Sequence, residues 1–152
     1  MGKALRIVQT VSSSITFAYG LGIFGWFLSK HNINSAVWAL LLGLSSGAVL
    51  HLNVLLIRKT ILNWYGKKSF RIFKAIGVLL SIAAIAAAVT YYYLAISKKQ
   101  KFDLLTFYTS GTLSLMTLKG SLGLFFISRN QIRIIEEDST INGIDTINTN
   151  FS

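Results

Sequence analysis

The sequence predicts an all-α, polytopic membrane protein with four transmembrane helices and both termini cytosolic. Three observations carry this fold class. Of 152 residues, 53% are hydrophobic and only 13% charged, with a mean hydropathy of +0.58, whereas soluble domains carry about a quarter charged residues. Apolar runs occur four times, at about 7–29, 35–57, 75–97 and 104–127. Each spans roughly 34 Å as a helix, enough for a hydrocarbon core of about 30 Å. The 15 Lys and Arg residues, which give a formal net charge of +10, sit almost entirely between these runs. Ten lie on the side of the N-terminal segment, the middle loop and the tail, and four on the other. The richer side is the cytosolic one. The charge therefore reads as topology and lipid-bilayer contact, and no nucleic-acid partner is expected.

Several function classes drop out. Without cysteine there is no disulfide or thiolate ligand, and without proline any helix break must come from glycine. No HExxH, GxSxG, Walker A or GxGxxG pattern occurs and only five acids are present, so no enzyme is expected. Residues 1–127 read as one four-helix transmembrane domain, and 128–152 as a cytosolic tail, partly disordered after Asp138.

The first run follows Lys3 and Arg6 but is too long for a signal-peptide core and ends without an Ala-x-Ala-like site, so it is retained as a helix. Gln9, Thr10, Ser12 to Ser14 and Thr16 fill its first half, and Gly20, Gly22 and Gly25 thin its second. Such residues normally face other helices.

The second run, Ser35 to Ile57, has no formal charge and places Gly43, Gly47 and His51 at every fourth position, a seam leading to an imidazole. His51 has two readings: a neutral ring hydrogen-bonded between helices, or a ligand or proton carrier. The middle loop, Arg58 to Lys74, holds six basic residues interleaved with Ile61, Leu62, Trp64, Tyr65, Phe70, Ile72 and Phe73. That pattern predicts an amphipathic segment at headgroup level.

The third run, Ala75 to Ser97, is alanine-rich and ends near Tyr91, Tyr92 and Tyr93, followed by the basic connection Lys98 to Asp103. The fourth carries Lys119. His51 lies about 9 Å and Lys119 about 12 Å from the cytosolic boundary, a similar depth. Lys119 either snorkels to the headgroups or faces the bundle, where Gly111, Leu115, Met116 and Gly123 leave room for something flat or bulky. At the opposite boundary Tyr91, Tyr92, Tyr93, Phe107 and Tyr108 adjoin Lys98, Lys99, Lys101 and His31. Trp26 and Trp38 fit an interfacial belt. Three consecutive tyrosines point three ways around a helix, and aromatic planes beside ammonium groups suit a planar anionic ligand.

Gly77 to Gln100, GVLLSIAAIAAAVTYYYLAISKKQ, resembles the third span of the haem-responsive family of small four-span haem transporters. The resemblance extends through Tyr108 and Leu118-Lys119, and back through Trp64 and Gly66. It implies transport of intact haem from the extracellular or lumenal side to the cytosol, at the plasma membrane or an endolysosomal membrane. Haem is then cargo rather than a resident cofactor. The family's span-two ligand position falls by gapless counting on Asn53, two residues after His51, the candidate for the haem iron. Its outer-loop position falls on Lys99, and its aromatic-basic tail motif is reduced to Phe126 and Arg129.

On this reading Lys98, Lys99 and Lys101 attract the propionates, and Tyr91 to Tyr93 with Tyr108 stack the ring. The seam of Gly43 and Gly47 leads on to His51, Lys119 counters a propionate, and haem leaves past Arg129. Four helices scarcely enclose a macrocycle, so a homo-oligomer, dimer or trimer, is expected. The alternatives are a non-transporting scaffold or accessory subunit, and an ion or proton pathway through His51.

Overall fold

The computed structural model of the chain describes residues 3–101 and 105–149, with side chains for residue 4 and residues 6–101 and 105–140. The expected start of the fourth span at Leu104, and Phe102 and Asp103 before it, lie outside the described residues. Five helices follow in order: α1 Lys3–Ser29, α2 Ile33–Ile57, α3 Ile61–Trp64, α4 Lys67–Ser97 and α5 Phe107–Thr149. Four are long and apolar enough to cross a membrane, and there is no strand among the described residues.

Three helices, α1, α2 and α4, end where the sequence stops offering apolar residues, and they end alike. Past α1, α2 and α4 the chain takes a left-handed residue, His31 (φ 56°), Lys59 (φ 56°) and Lys99 (φ 49°). The amide one residue later then donates back into the last turn: Asn32 to Phe27, Thr60 to Leu55 and Gln100 to Ala95, each at 3.0 Å. These bonds satisfy carbonyls that helix ends leave open. Glycine is the usual residue there. Here each position carries a basic or imidazole side chain, which accepts a steric cost of about 1 kcal/mol and sets cationic or protonatable groups near the negative end of the helix. Asn32 also caps α2, its side chain accepting from the Ser35 amide at 3.2 Å.

The long helices pack as a row, α1 against α2, α2 against α5 and α5 against α4. The two central helices are the more buried, and α1 and α4 turn broad apolar faces outward. In water such faces would be a liability; in a bilayer they are the solvated surface. The core is built largely from small and hydroxylated residues, since lipid gives helices no hydrophobic reason to associate and close approach must supply the energy. Ser35 and Ser110 share a hydrogen bond of 2.8 Å between α2 and α5, and Ser81 and Ser121 one of 2.8 Å between α4 and α5. A Cβ on Gly77 would lie 2.9 Å from the Ser121 carbonyl oxygen, so α4 meets α5 backbone to backbone. Gly20 does the same for α1, where a Cβ would fall 2.6 Å from the Gly43 nitrogen.

Two regions differ from the sequence reading. The middle loop is not one interfacial segment. It is a single turn, α3, held by buried Ile61, and from Lys67 onward its residues form the first turns of α4, with Phe70 wholly buried. The last helix does not stop with its apolar run at Ile127 but continues through the stretch read as a tail. Past the apolar run, buried Gln131 and the ion pair of Lys67 with Glu136, 2.8 Å, tie it to the rest of the protein. These are tertiary contacts, invisible to composition.

Candidate functional site

The polar residues of α1 recur at helical spacing, Arg6, Gln9, Ser12 or Ser13, and Thr16. Those residue types, once on one face, must find partners inside the bundle. Gln9, Ser12, Ser13 and Thr16 face a cavity of about 340 Å³ between α1, α2 and α5, to which α2 contributes Ser46 and Val49 and α5 contributes Met116 and Lys119. The Lys119 ammonium donates to Ser12 Oγ at 3.1 Å. It therefore neither snorkels freely nor is buried: it stands at the rim of the cavity, held by α1.

A second cavity of about 330 Å³ lies nearer the middle-loop end, lined among others by Arg6, Gln9, Asn53, Asn130 and Gln131. Gln9 borders both spaces. Asn53 is 1% exposed, and its Nδ2, like Gln9 Oε1 and Ser128 Oγ, is buried without a hydrogen-bond partner among the described residues. A buried donor and a buried acceptor left unmade cost about 1–3 kcal/mol each. Such groups are retained where something other than stability needs them.

The expected pairing of His51 with Lys119 is corrected by the structure. His51 is on the exposed side of α2, edge-on to Tyr65 at 6.0 Å and to Trp64 at 6.3 Å. The reason is rotation: each step of four residues turns about 40°, so Gly43, Gly47 and His51 drift by about 80°. Gly43 and Gly47 do face α1, at Leu21 and Phe17, but the seam does not carry His51 with it. Ser46 and Asn53, seven residues apart, are the pair that stays in line, and they are the polar α2 residues at the two cavities.

At the other end the tyrosines divide. Tyr91 stacks on Phe107 (6.0 Å, 16°) and its hydroxyl accepts from Trp38 Nε1 at 3.4 Å. Tyr92 lies edge-on to Tyr108 at 6.0 Å, shares a 3.2 Å hydrogen bond with Thr112 and covers Gly111. Tyr93 points away, 70% exposed. Lys98 Nζ stands 4.9 Å over the Phe107 ring, and Lys99 and Lys101 are exposed. The aromatic planes expected for a ligand thus stack on one another. Met116 and Lys119 line the first cavity, and Phe126 and Arg129 belong with Lys74 and Arg133 to a separate cradle on the α4–α5 side.

Sequence reasoning missed Arg6, Gln9, Ser12 and Ser46 as site residues. The signal was present in the three-to-four-residue recurrence of polar side chains along α1. Among the described residues no group of three or more His, Cys, Asp or Glu comes together to hold a metal ion.

No curated protein and no solved structure gives a match. The family comparison does: residues 70–119, from the first turns of α4 to Lys119, match the family described as haem-transporter, endosomal/lysosomal, haem-responsive gene.

Proposed function

We propose that the protein moves intact haem across an endolysosomal membrane toward the cytosol, with the cavity between α1, α2 and α5 receiving the carboxylate edge of the macrocycle. The observation that carries this reading is Lys119, an ammonium held on a hydroxyl at the rim of a largely apolar cavity edged by Gln9, Ser12 and Thr16, within the bilayer-spanning part of the chain. A cation at that depth is costly unless it meets an anion. A haem propionate supplies one, and Lys119 is also the last residue of the stretch that matches a haem-transporter family.

The space of about 340 Å³ is at the small end of ligand pockets. It takes the propionate edge, while the ring rests against the outward faces of α1 and α5 or a second subunit. Asn53 Nδ2 and Gln9 Oε1 then offer the next polar partners toward the cytosol. Lys98, Lys99 and Lys101 gather the anionic substrate at the tyrosine end, and Tyr93 is the triad member free to meet it. His51, beside Trp64 and Tyr65, is placed for release rather than for the cavity.

The test is haem-dependent growth of a haem-auxotrophic host together with haem titration of the purified protein. Lys119→Met is expected to lower uptake tenfold or more, the loss of a charge-assisted contact of about 1.5–3 kcal/mol. His51→Ala is expected to keep its Soret band in the same cavity. Uptake unchanged in Lys119→Met would overturn the assignment, and no rescue by the unaltered protein would favour a scaffold.

A further inference from the structure

The α4–α5 seam is shut at Gly77, where a Cβ would meet Ser121 and Phe125 backbone atoms at 2.9–3.0 Å. It is tied again about three turns away by the Lys67–Glu136 ion pair of 2.8 Å. Between these two fastenings it opens into a cradle of about 410 Å³, lined by Lys74 of α4 and by Phe126, Arg129, Asn130, Arg133 and Glu136 of α5. Three cations therefore converge on one space from two helices whose spacing is fixed above and below. Their carboxylate neighbour in the cradle, Glu136, is ion-paired to Lys67 and also within electrostatic reach of Lys74, so one carboxylate faces several cations. Arg133 Nε reaches Glu137 at 3.1 Å, an exposed pair of the kind that contributes little. No ion pair to Lys74 or Arg129 occurs among the described residues. Like charges held together across a packed seam repel, and an anion seated between them reverses the sign of that interaction.

The height of the cradle says which anion. Lys74 immediately precedes the apolar run 75–97, and Arg129 follows the run that ends at Ile127 by two residues. Both sit at the level of lipid phosphates, where basic residues recognise anionic headgroups. Phe126, 58% exposed, and half-buried Ile132 are the apolar residues of the cradle that acyl chains would cover.

We propose that this cradle is a binding site for the phosphorylated headgroup of a membrane lipid, one carrying more than a single phosphate, on the middle-loop side of the bilayer. Two arginines supply planar forks for phosphate oxygens and Lys74 a point charge, a set that a singly charged headgroup does not fill. The site shares no residue with the Lys119 cavity and stands whether or not haem is the cargo.

The test uses the full chain in nanodiscs of phosphatidylcholine containing either a phosphatidylinositol bisphosphate or phosphatidylserine at equal total charge. Thermal unfolding and headgroup-labelled lipid binding are read out. The bisphosphate lipid is expected to bind at least tenfold more tightly and to raise the midpoint. Lys74→Gln with Arg129→Gln should abolish that preference, whereas Lys98→Gln with Lys99→Gln, at the opposite end, should leave it. Lys74→Arg with Arg129→Lys keeps the charge and controls for folding. Equal binding of the two lipids, or binding unmoved by Lys74→Gln with Arg129→Gln, would overturn the site in favour of diffuse surface charge. Full reproduction of the shift by soluble inositol bisphosphate would overturn the lipid as the source.

Discussion

The seam between α4 and α5 and the seam between α1 and the α2–α5 pair are made from the same small and hydroxylated residues, yet one closes and the other does not. Along the α4–α5 seam Ser81 meets Ser121, Tyr92 meets Thr112, and Gly77 lets the backbones touch. Along α1 the helices touch at Gly20 and then part, leaving a lysine at the rim and an amide oxygen and an amide nitrogen unanswered. The difference teaches that small residues bring helices together only where both partners are small at the same height. Opposite Ser12 and Gln9 the facing helices present Ser46, Val49, Met116 and Lys119, whose unequal sizes hold a space open. The stretch that matches the family lies mostly on the closed side and reaches the open one at Met116 and Lys119.

The largest expected effect comes from forcing the closed seam. Gly77→Leu places a side chain against Ser121 and Phe125 backbone that cannot yield. Overpacking of this kind costs about 3 kcal/mol or more, read as a fall in the thermal midpoint of the purified protein. The open seam should answer in the opposite sense. Asn53→Leu removes the orphaned amide and is expected to raise stability by about 1 kcal/mol while lowering haem uptake. A lower midpoint would mean that Asn53 has a structural partner and that the two seams are alike. The smallest effect belongs to the end of the closed seam. A double-mutant cycle of Lys67→Gln and Glu136→Gln should give a small coupling that shrinks as salt is raised, because both side chains are solvent-exposed.

The spans were legible because the bilayer imposes their length, and the turns at His31, Lys59 and Lys99 fall where charge interrupts apolar sequence. The start of α4 at Lys67 was not legible, because Lys67 and Phe70 become helical by packing on α5 rather than by their own composition. The site was half legible. Lys119 announced itself as a charge within an apolar run. His51 was the more conspicuous residue of α2 and Asn53 the better placed one, since four-residue spacing drifts around a helix and seven-residue spacing hardly does. The tyrosines could be counted but not paired, because stacking of Tyr91 on Phe107 depends on the turn that returns α5 alongside α4.

The order of the row has a consequence for how the protein is made. Neighbours in the chain are neighbours in space twice over, α1 with α2 and α4 with α5, and each pair is joined by backbone-level glycine contacts that need nothing from the other. The chain is thus two helical hairpins, each complete as it leaves the ribosome, with local contacts of the kind that form quickly. What unites them is chiefly the α2–α5 contact, signed by Ser35 with Ser110 and by Thr117 with the Trp38 carbonyl at 3.4 Å, with Lys119 reaching Ser12 of α1 beside it. Docking of finished hairpins, rather than threading of helices, is the assembly step on which the cavity depends, since its walls come from both halves.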